Sequence, residues 1–368
     1  MNNRNDKTTP KKREALFHIV KRPQMSMKNA LLVRLAAILA AIVFCGLITL
    51  IILKENPFTA YGTMFLGVFG ENTLDSLRST AVLLCIALAL TPAFKMRFWN
   101  TGAEGQVLMG CLGTAIAMYY FGHLPTFLLV LLMLIFALLL GALWAVIPAI
   151  FKVFWNTNET LFTLMMNSVA AFTILLFKKS WNRTSESVAK EILDKESKIN
   201  NIFGTNYWLV IGIVLVLAIA MYVYLKYSKH GYEISVVGES EKTANYIGIN
   251  VKKVVVRTMI ISGLICGLAG FLITAVSQQL AHDAAGGQGF TAIMVAWLAK
   301  FNPIVMILSA FLFIFFDKGG QKISTSLGYT KTYSGILTGI LLFFIIGCEF
   351  FINYKIVFNR SKNKKEEK

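Results

Sequence analysis

Long apolar runs separated by short polar stretches dominate the chain, and their lengths decide the first reading. A helix needs about 20 mostly apolar residues to cross the hydrocarbon of a bilayer. Leu35 to Leu53 supplies the first such run, with Arg34 at its start placed to snorkel toward a basic side. After a loop carrying Asn56-Pro57, a shorter run from Ser79 to Phe94 ends around Pro92, with Lys95 and Arg97 directly behind it. Gly105 to Phe121, Phe127 to Phe151, Thr160 to Phe177 and Trp208 to Leu225 follow. Thr258 to Ser277 comes next, then the short runs Phe290 to Leu298 and Ile304 to Phe316, and last Tyr333 to Ile352. These runs predict an all-α polytopic membrane protein of about ten transmembrane helices, with both ends inside the cell.

The polar stretches between the runs set the organisation. Residues 1–30 form a basic cytoplasmic extension without the apolar core and small-residue cleavage site of a secretory leader, so no cleaved leader is expected. Residues 31–353 make up the membrane domain, and residues 354–368 a Lys-rich cytoplasmic tail suited to anionic lipid. The longest polar insert, 178–207, mixes basic and acidic residues, and parity of the crossings puts it outside. The basic stretch 226–257 is then the main cytoplasmic loop. Within it Ser240 to Gly248 reads as a short helix, with Ser240 as N-cap, Glu241 in the first turn and Gly248 as terminator.

Two glycine-rich interruptions stand out against this apolar background. Asn100-Thr101-Gly102-Ala103-Glu104-Gly105-Gln106 follows the second run, and Gly286-Gly287-Gln288-Gly289-Phe290 follows the seventh. By parity those two runs cross in opposite directions. Asn156 to Glu159 and Lys318-Gly319-Gly320-Gln321 read as a second matching pair, before the fifth and tenth runs. Interrupted segments at corresponding places of two halves are a pointer to inverted repeats with a pathway between them.

Composition supports the membrane assignment and narrows the partners. Of 368 residues 56% are hydrophobic and only 15% charged, far from a soluble domain. The net charge of +17 is concentrated in the termini and polar loops, which argues for cytoplasmic anchoring and against a nucleic-acid partner. Cys45, Cys85, Cys111, Cys266 and Cys348 each lie singly within apolar runs, with no metal-ligand spacing, and read as packing thiols. No Walker A sequence and no Ser/His/Asp arrangement is present, so the chain carries no engine and no catalytic residue of its own.

Asn100 to Gln106, Asn158-Glu159-Thr160 with Leu164-Met165-Met166-Asn167, and Gly238-Glu239-Ser240 running into Ala244 to Val251 resemble the permease family of bacterial nucleoside and simple-sugar ABC importers. Gly263 to Gly270, Gly286 to Phe290 and Asn302-Pro303 extend the likeness, which covers Ser79 to Leu342. The resemblance implies a multi-pass protein of the bacterial cell membrane with a fold similar to that of the vitamin B12 importer. It implies a second homologous permease, a cytosolic ABC ATPase that binds ATP and Mg²⁺, and an extracytoplasmic substrate-binding lipoprotein as partners. It implies no cofactor in this chain itself. The Gly-Ala-Glu-Gly-Gln form resembles the purine-nucleoside branch more than the monosaccharide branch, while Thr101 stands where Ile or Leu is commoner. A gradient-driven secondary transporter is the rival from another class.

Individual residues then take two readings each. Glu104 either faces the pathway or closes a capping box onto the Thr101 N–H, the cap being favoured. Asn167, inside an apolar helix, makes an interhelical hydrogen bond or meets substrate. Gln288 and Phe290 flank the substrate or pack at a loop end, and Asn100 and Gln106 join the same candidate pathway. Gly102, Gly105, Gly286, Gly287 and Gly289 break and seat helices. Glu239, Ser240, Ala244, Tyr246, Ile247 and Gly248 form the segment expected to couple to the ATPase. Trp99, Trp155 and Trp208 at run ends read as interfacial anchors.

Overall fold

A computed structural model describes residues 17–22, 25–70, 73–181, 207–277, 280–326 and 332–358. The core of the predicted insert 178–207 and most of both terminal extensions therefore lie outside the described residues. The helices are α1 (Met27–Ile48, continued by a π-helical turn Thr49–Leu53), α2 (Pro57–Phe69), α3 (Thr73–Lys95), α4 (Ala103–Phe121), α5 (Thr126–Trp155) and α6 (Glu159–Ser180). They continue with α7 (Tyr207–Tyr227), α8 (Lys229–Glu239), α9 (Glu241–Tyr246), α10 (Val251–Ser277), α11 (Gln288–Leu298), α12 (Pro303–Ser326) and α13 (Thr332–Asn353). Two short strands, β1 (Phe17–Lys21) and β2 (Tyr354–Phe358), complete the set. Each predicted run corresponds to a helix, and 8 of the helices are long and apolar enough to cross a membrane. The chain is an all-α polytopic membrane protein. α4 and α11 are not among those eight: α4 carries Glu104 and is mostly buried, and α11 is too short to cross.

Two compact units divide the chain, one made of residues 1–60 and 336–368 and the other of 61–335. In the first, β1 pairs antiparallel with β2, Phe17 facing Phe358 and Lys21 facing Tyr354. The same unit holds an ion pair at helix level. Arg34 does not snorkel outward as expected: its Nε donates to Glu349 Oε1 at 2.8 Å, and a second guanidinium nitrogen reaches the same oxygen. Phe44 lies against Phe344, with ring centroids 5.7 Å apart. The strand pairing sets Phe17–Lys21 beside Tyr354–Phe358, and the ion pair ties α1 to α13.

The second unit is built around α10, and small residues make its close packing possible. Gly263 and Gly141 face one another so tightly that a Cβ on either would lie 2.5 Å from the other's carbonyl oxygen. Gly267 meets the backbone of Ala137 and Gly110 in the same way, and Gly270 that of Val107. Backbones that approach this closely gain dispersion and Cα–H contacts that side chains would block, which is how helices associate where lipid is as apolar as leucine. α3 supplies the rest of the core and is buried almost continuously from Ser79 to Phe94.

The structure corrects the reading of four segments. Residues 57–69, read as loop, form α2: Pro57 takes the first helical position, where its missing N–H costs nothing, and Asn56 Oδ1 accepts from the Phe58 N–H at 3.0 Å. α3 does not stop early; it begins at Thr73 and passes through Pro92 to Lys95. α12 runs on past Phe316, so Gly319 and Gly320 are helical and the second matching break does not exist, with Met64 packed on Gly319. The extra turns of α3 and α12 meet: Lys318 Nζ donates to Asp75 Oδ2 at 2.6 Å. Finally, α8 lies within the predicted cytoplasmic loop, capped by Ser228, whose Oγ accepts from the Gly231 N–H at 2.9 Å.

Candidate functional site

The first break opens where α3 ends and Arg97 takes a left-handed conformation, φ 62°. Asn100 follows, fully buried, and its amide is consumed locally. Its Oδ1 accepts from the Gly102 N–H at 3.1 Å and from Gln106 Nε2 at 3.2 Å, and its Nδ2 donates to Ser262 Oγ on α10 at 3.3 Å. Thr101 is fixed to α6, with its N–H donating to Thr163 Oγ1 at 3.2 Å and its hydroxyl to the Thr160 carbonyl at 2.9 Å. Asn167 completes the clamp: its Oδ1 accepts from the Gly105 N–H at 2.8 Å while its Nδ2 donates to the Thr101 carbonyl at 3.0 Å. The interhelical bond foreseen for Asn167 is thus a double one, to backbone on both sides of Gly102.

Glu104 is a cap, but of a different helix from the one its sequence neighbours suggest. Thr101 offers its N–H to Thr163 and to the Trp99 carbonyl, so the local capping box is not formed. The Glu104 carboxylate instead accepts from the Gly287 N–H at 2.8 Å and the Gly289 N–H at 2.7 Å. These belong to the N-terminus of α11, where unpaired donors and the positive end of the helix dipole favour a carboxylate. Gly286 and Gly287 have φ 57° and 76°, which exposes those donors, and a Cβ on Gly289 would collide with the Glu104 backbone. The two glycine-rich breaks, far apart in sequence, therefore meet at one carboxylate. Gln288 keeps a buried Oε1 without a partner among the described residues, and Phe290 is exposed.

Below the first break lies the segment Glu239 to Gly248. Ser240 ends α8 and caps α9, its Oγ accepting from the Thr243 N–H at 3.2 Å, and Gly248 terminates the turn with φ 84°. Ala244 is fully buried, whereas Tyr246 is 91% and Ile247 50% exposed. One apolar cluster joins Ala244 to Val237 of α8, Val255 of α10, and Met96 and Phe98 at the start of the break. Gly238 sits directly on the Lys95 carbonyl, so α8 and the end of α3 are in backbone contact. A cleft of about 740 Å³ opens beside them, bordered by Arg97, Lys152, Glu159, Asn245 and Lys252. Lys152 and Glu159 pair across it at 2.9 Å.

Among the described residues no three His, Cys, Asp or Glu side chains are placed to hold a metal ion, and all five cysteines are buried free thiols. The side chains of Asn100, Glu104 and Asn167 join the breaks to α10, α11 and α6.

A family model described as branched-chain amino acid transport system / permease component matches residues 72–346. The chain belongs to that family. This permease is 28% identical to a guanosine ABC transporter permease protein of Bacillus subtilis, the match covering 91% of this chain and 97% of that one. It is also 28% identical to a glucose ABC transporter permease protein of Haloferax volcanii, over 89% of this chain and 90% of the relative. A nucleoside ABC transporter permease protein of Lactococcus lactis is 25% identical over 83% of this chain and 89% of its own length. The matched region contains both breaks and the Glu239 to Gly248 segment of the permease, and leaves out its N-terminal extension, α1 and α2. Sequence reasoning named the amides and the acid of the breaks and read Trp99 as an interfacial anchor, and it left Trp297 unremarked. The two rings touch, with centroids 5.3 Å apart.

Proposed function

We propose that this permease is the membrane subunit of an ATP-driven importer of nucleosides. It would receive substrate from an extracytoplasmic binding lipoprotein, pair with a second permease, and take its energy from a cytosolic ATPase that binds ATP and Mg²⁺. The observation that carries the reading is α9. A short helix that buries Ala244 and turns Tyr246 and Ile247 outward is built for contact with another protein. Because Ala244 shares one apolar cluster with Met96 and Phe98, a push on α9 tilts the start of the first break as a rigid body. The chain performs no chemistry; it offers alternating access to a cavity that must bind weakly, since tight binding would oppose release. The distribution of basic residues supports a cytoplasmic place for the loop 226–257 and for the termini.

The Gly-Ala-Glu-Gly-Gln sequence and the guanosine and nucleoside relatives support a nucleoside as cargo. The glucose relative, at the same identity as the guanosine one, supports a monosaccharide as the second reading. Uptake of labelled guanosine and labelled glucose by the assembled transporter separates them. Guanosine uptake that excess glucose does not compete is expected, and the reverse pattern would transfer the assignment to sugars.

A further inference from the structure

Most polar side chains of the breaks are already engaged, Gln288 Oε1 excepted. Asn100, Gln106, Glu104 and Asn167 direct their polar atoms at backbone and side chains around the breaks. Beside the breaks lies an aromatic cluster. Phe94, at the end of α3, is buried and lies edge-to-face with Trp99 and Trp297, with centroids at 5.6 and 6.3 Å, and stacked on Phe301 at 6.1 Å. Trp99 and Trp297 form the rim of this cluster, edge-to-face with each other and 43% and 42% exposed. Along α11, Phe290, Met294 and Trp297 follow at spacings of four and three, so an aromatic and thioether stripe on one helix face leads from the Glu104 joint to the tryptophans.

We propose that Trp99 and Trp297 are the stacking site for the base of a nucleoside passing through this permease, with Phe94 and Phe301 as its floor. This inference rests on the nucleoside reading above and deepens it. Placement, exposure and ring packing suit a planar base. Trp99 directly precedes the first break, and Trp297 lies on α11, the helix that the second break starts and Glu104 caps. The two tryptophans are 43% and 42% exposed, and an indole N–H donates to the acceptors that a purine brings at its ring nitrogens and exocyclic oxygen. The two rings pack edge-on against each other around a buried phenylalanine, which fixes the width and tilt of the aromatic face they offer. Stacking is also tolerant of which base is carried, because every base has a π-face.

The test uses the full transporter, both permeases with ATPase and binding lipoprotein, in proteoliposomes. Trp99→Phe and Trp297→Phe should keep the apparent KM for guanosine close to that of the parent. Trp99→Leu and Trp297→Leu, equally apolar but without a π-face, should raise it by about tenfold. Guanine base should compete with guanosine in the parent and ribose should not, and the second permease should co-purify unchanged with every variant. Parent-like transport by the leucine variants would overturn the proposal. Loss of the second permease from the leucine variants would overturn it in favour of a permease–permease contact, as would competition by ribose but not guanine in favour of a sugar site. If the parent itself carries glucose and not guanosine, the nucleoside reading fails first and this one with it.

Discussion

Replacing Asn167 by leucine would strand the Gly105 N–H and the Thr101 carbonyl inside the bundle, since the one amide serves both. Interhelical hydrogen bonds in membranes are worth about 0.6–2 kcal/mol, so the substitution should lower thermal stability in detergent by an amount in that range. Glu104 makes two bonds to α11 with two oxygens, and the substitutions that remove one or both can be ranked. Glu104→Gln keeps one acceptor and should be milder than Glu104→Ala, which leaves both glycine donors unpaired at a cost of about 1–3 kcal/mol each. Equal unfolding temperatures for the two variants would show that the carboxylate does not hold α11. The role of Glu104 was half legible: an acid three residues after a threonine announces a cap, but the local pattern names the wrong helix. The actual donors lie 183 and 185 residues away, and nothing in the neighbourhood of Glu104 encodes that distance.

α9 makes two opposite predictions within one turn. Tyr246→Ala and Ile247→Ala remove exposed side chains and should leave unfolding within about 0.5 kcal/mol of the parent, while reducing co-purification of the ATPase and transport. Ala244→Leu adds volume to a fully buried position and should destabilise by about 1–3 kcal/mol. Transport unchanged in the Tyr246 and Ile247 variants would remove α9 from the coupling route. This element was readable in the sequence because its signals are local: a capping serine, an acid in the first turn and a terminating glycine. α3 and α12 were both read too short for one shared reason. Their outer turns carry Asp75 and Lys318, which look like loop residues one at a time and neutralise each other across the two helices. Hydropathy measures a residue alone, so it ends a helix at a charge whose partner it does not see. α2 was missed differently, its short apolar stretch being hidden behind the turn signal Asn56-Pro57 that in fact starts it.

At the scale of the molecule, the antiparallel pairing of β1 with β2 and the Arg34–Glu349 ion pair hold the strand before α1 beside the strand after α13. Reporters fused to either end should therefore give the same topology signal, and the nucleoside-importer reading makes that side the cytosol. The membrane class was legible throughout because run lengths report bilayer thickness directly. The meeting of the two breaks was not, because it rests on the close backbone approach of Gly289 to Glu104, and a glycine appears in the sequence only as a gap in side-chain pattern. The central claim, that a separate ATPase drives nucleosides through a passive jointed bundle, is tested most directly by uptake in proteoliposomes. Labelled guanosine uptake should require ATP, the ATPase and the binding lipoprotein together, and should survive an uncoupler. Uptake that persists without ATP and the ATPase but collapses with the uncoupler would contradict it.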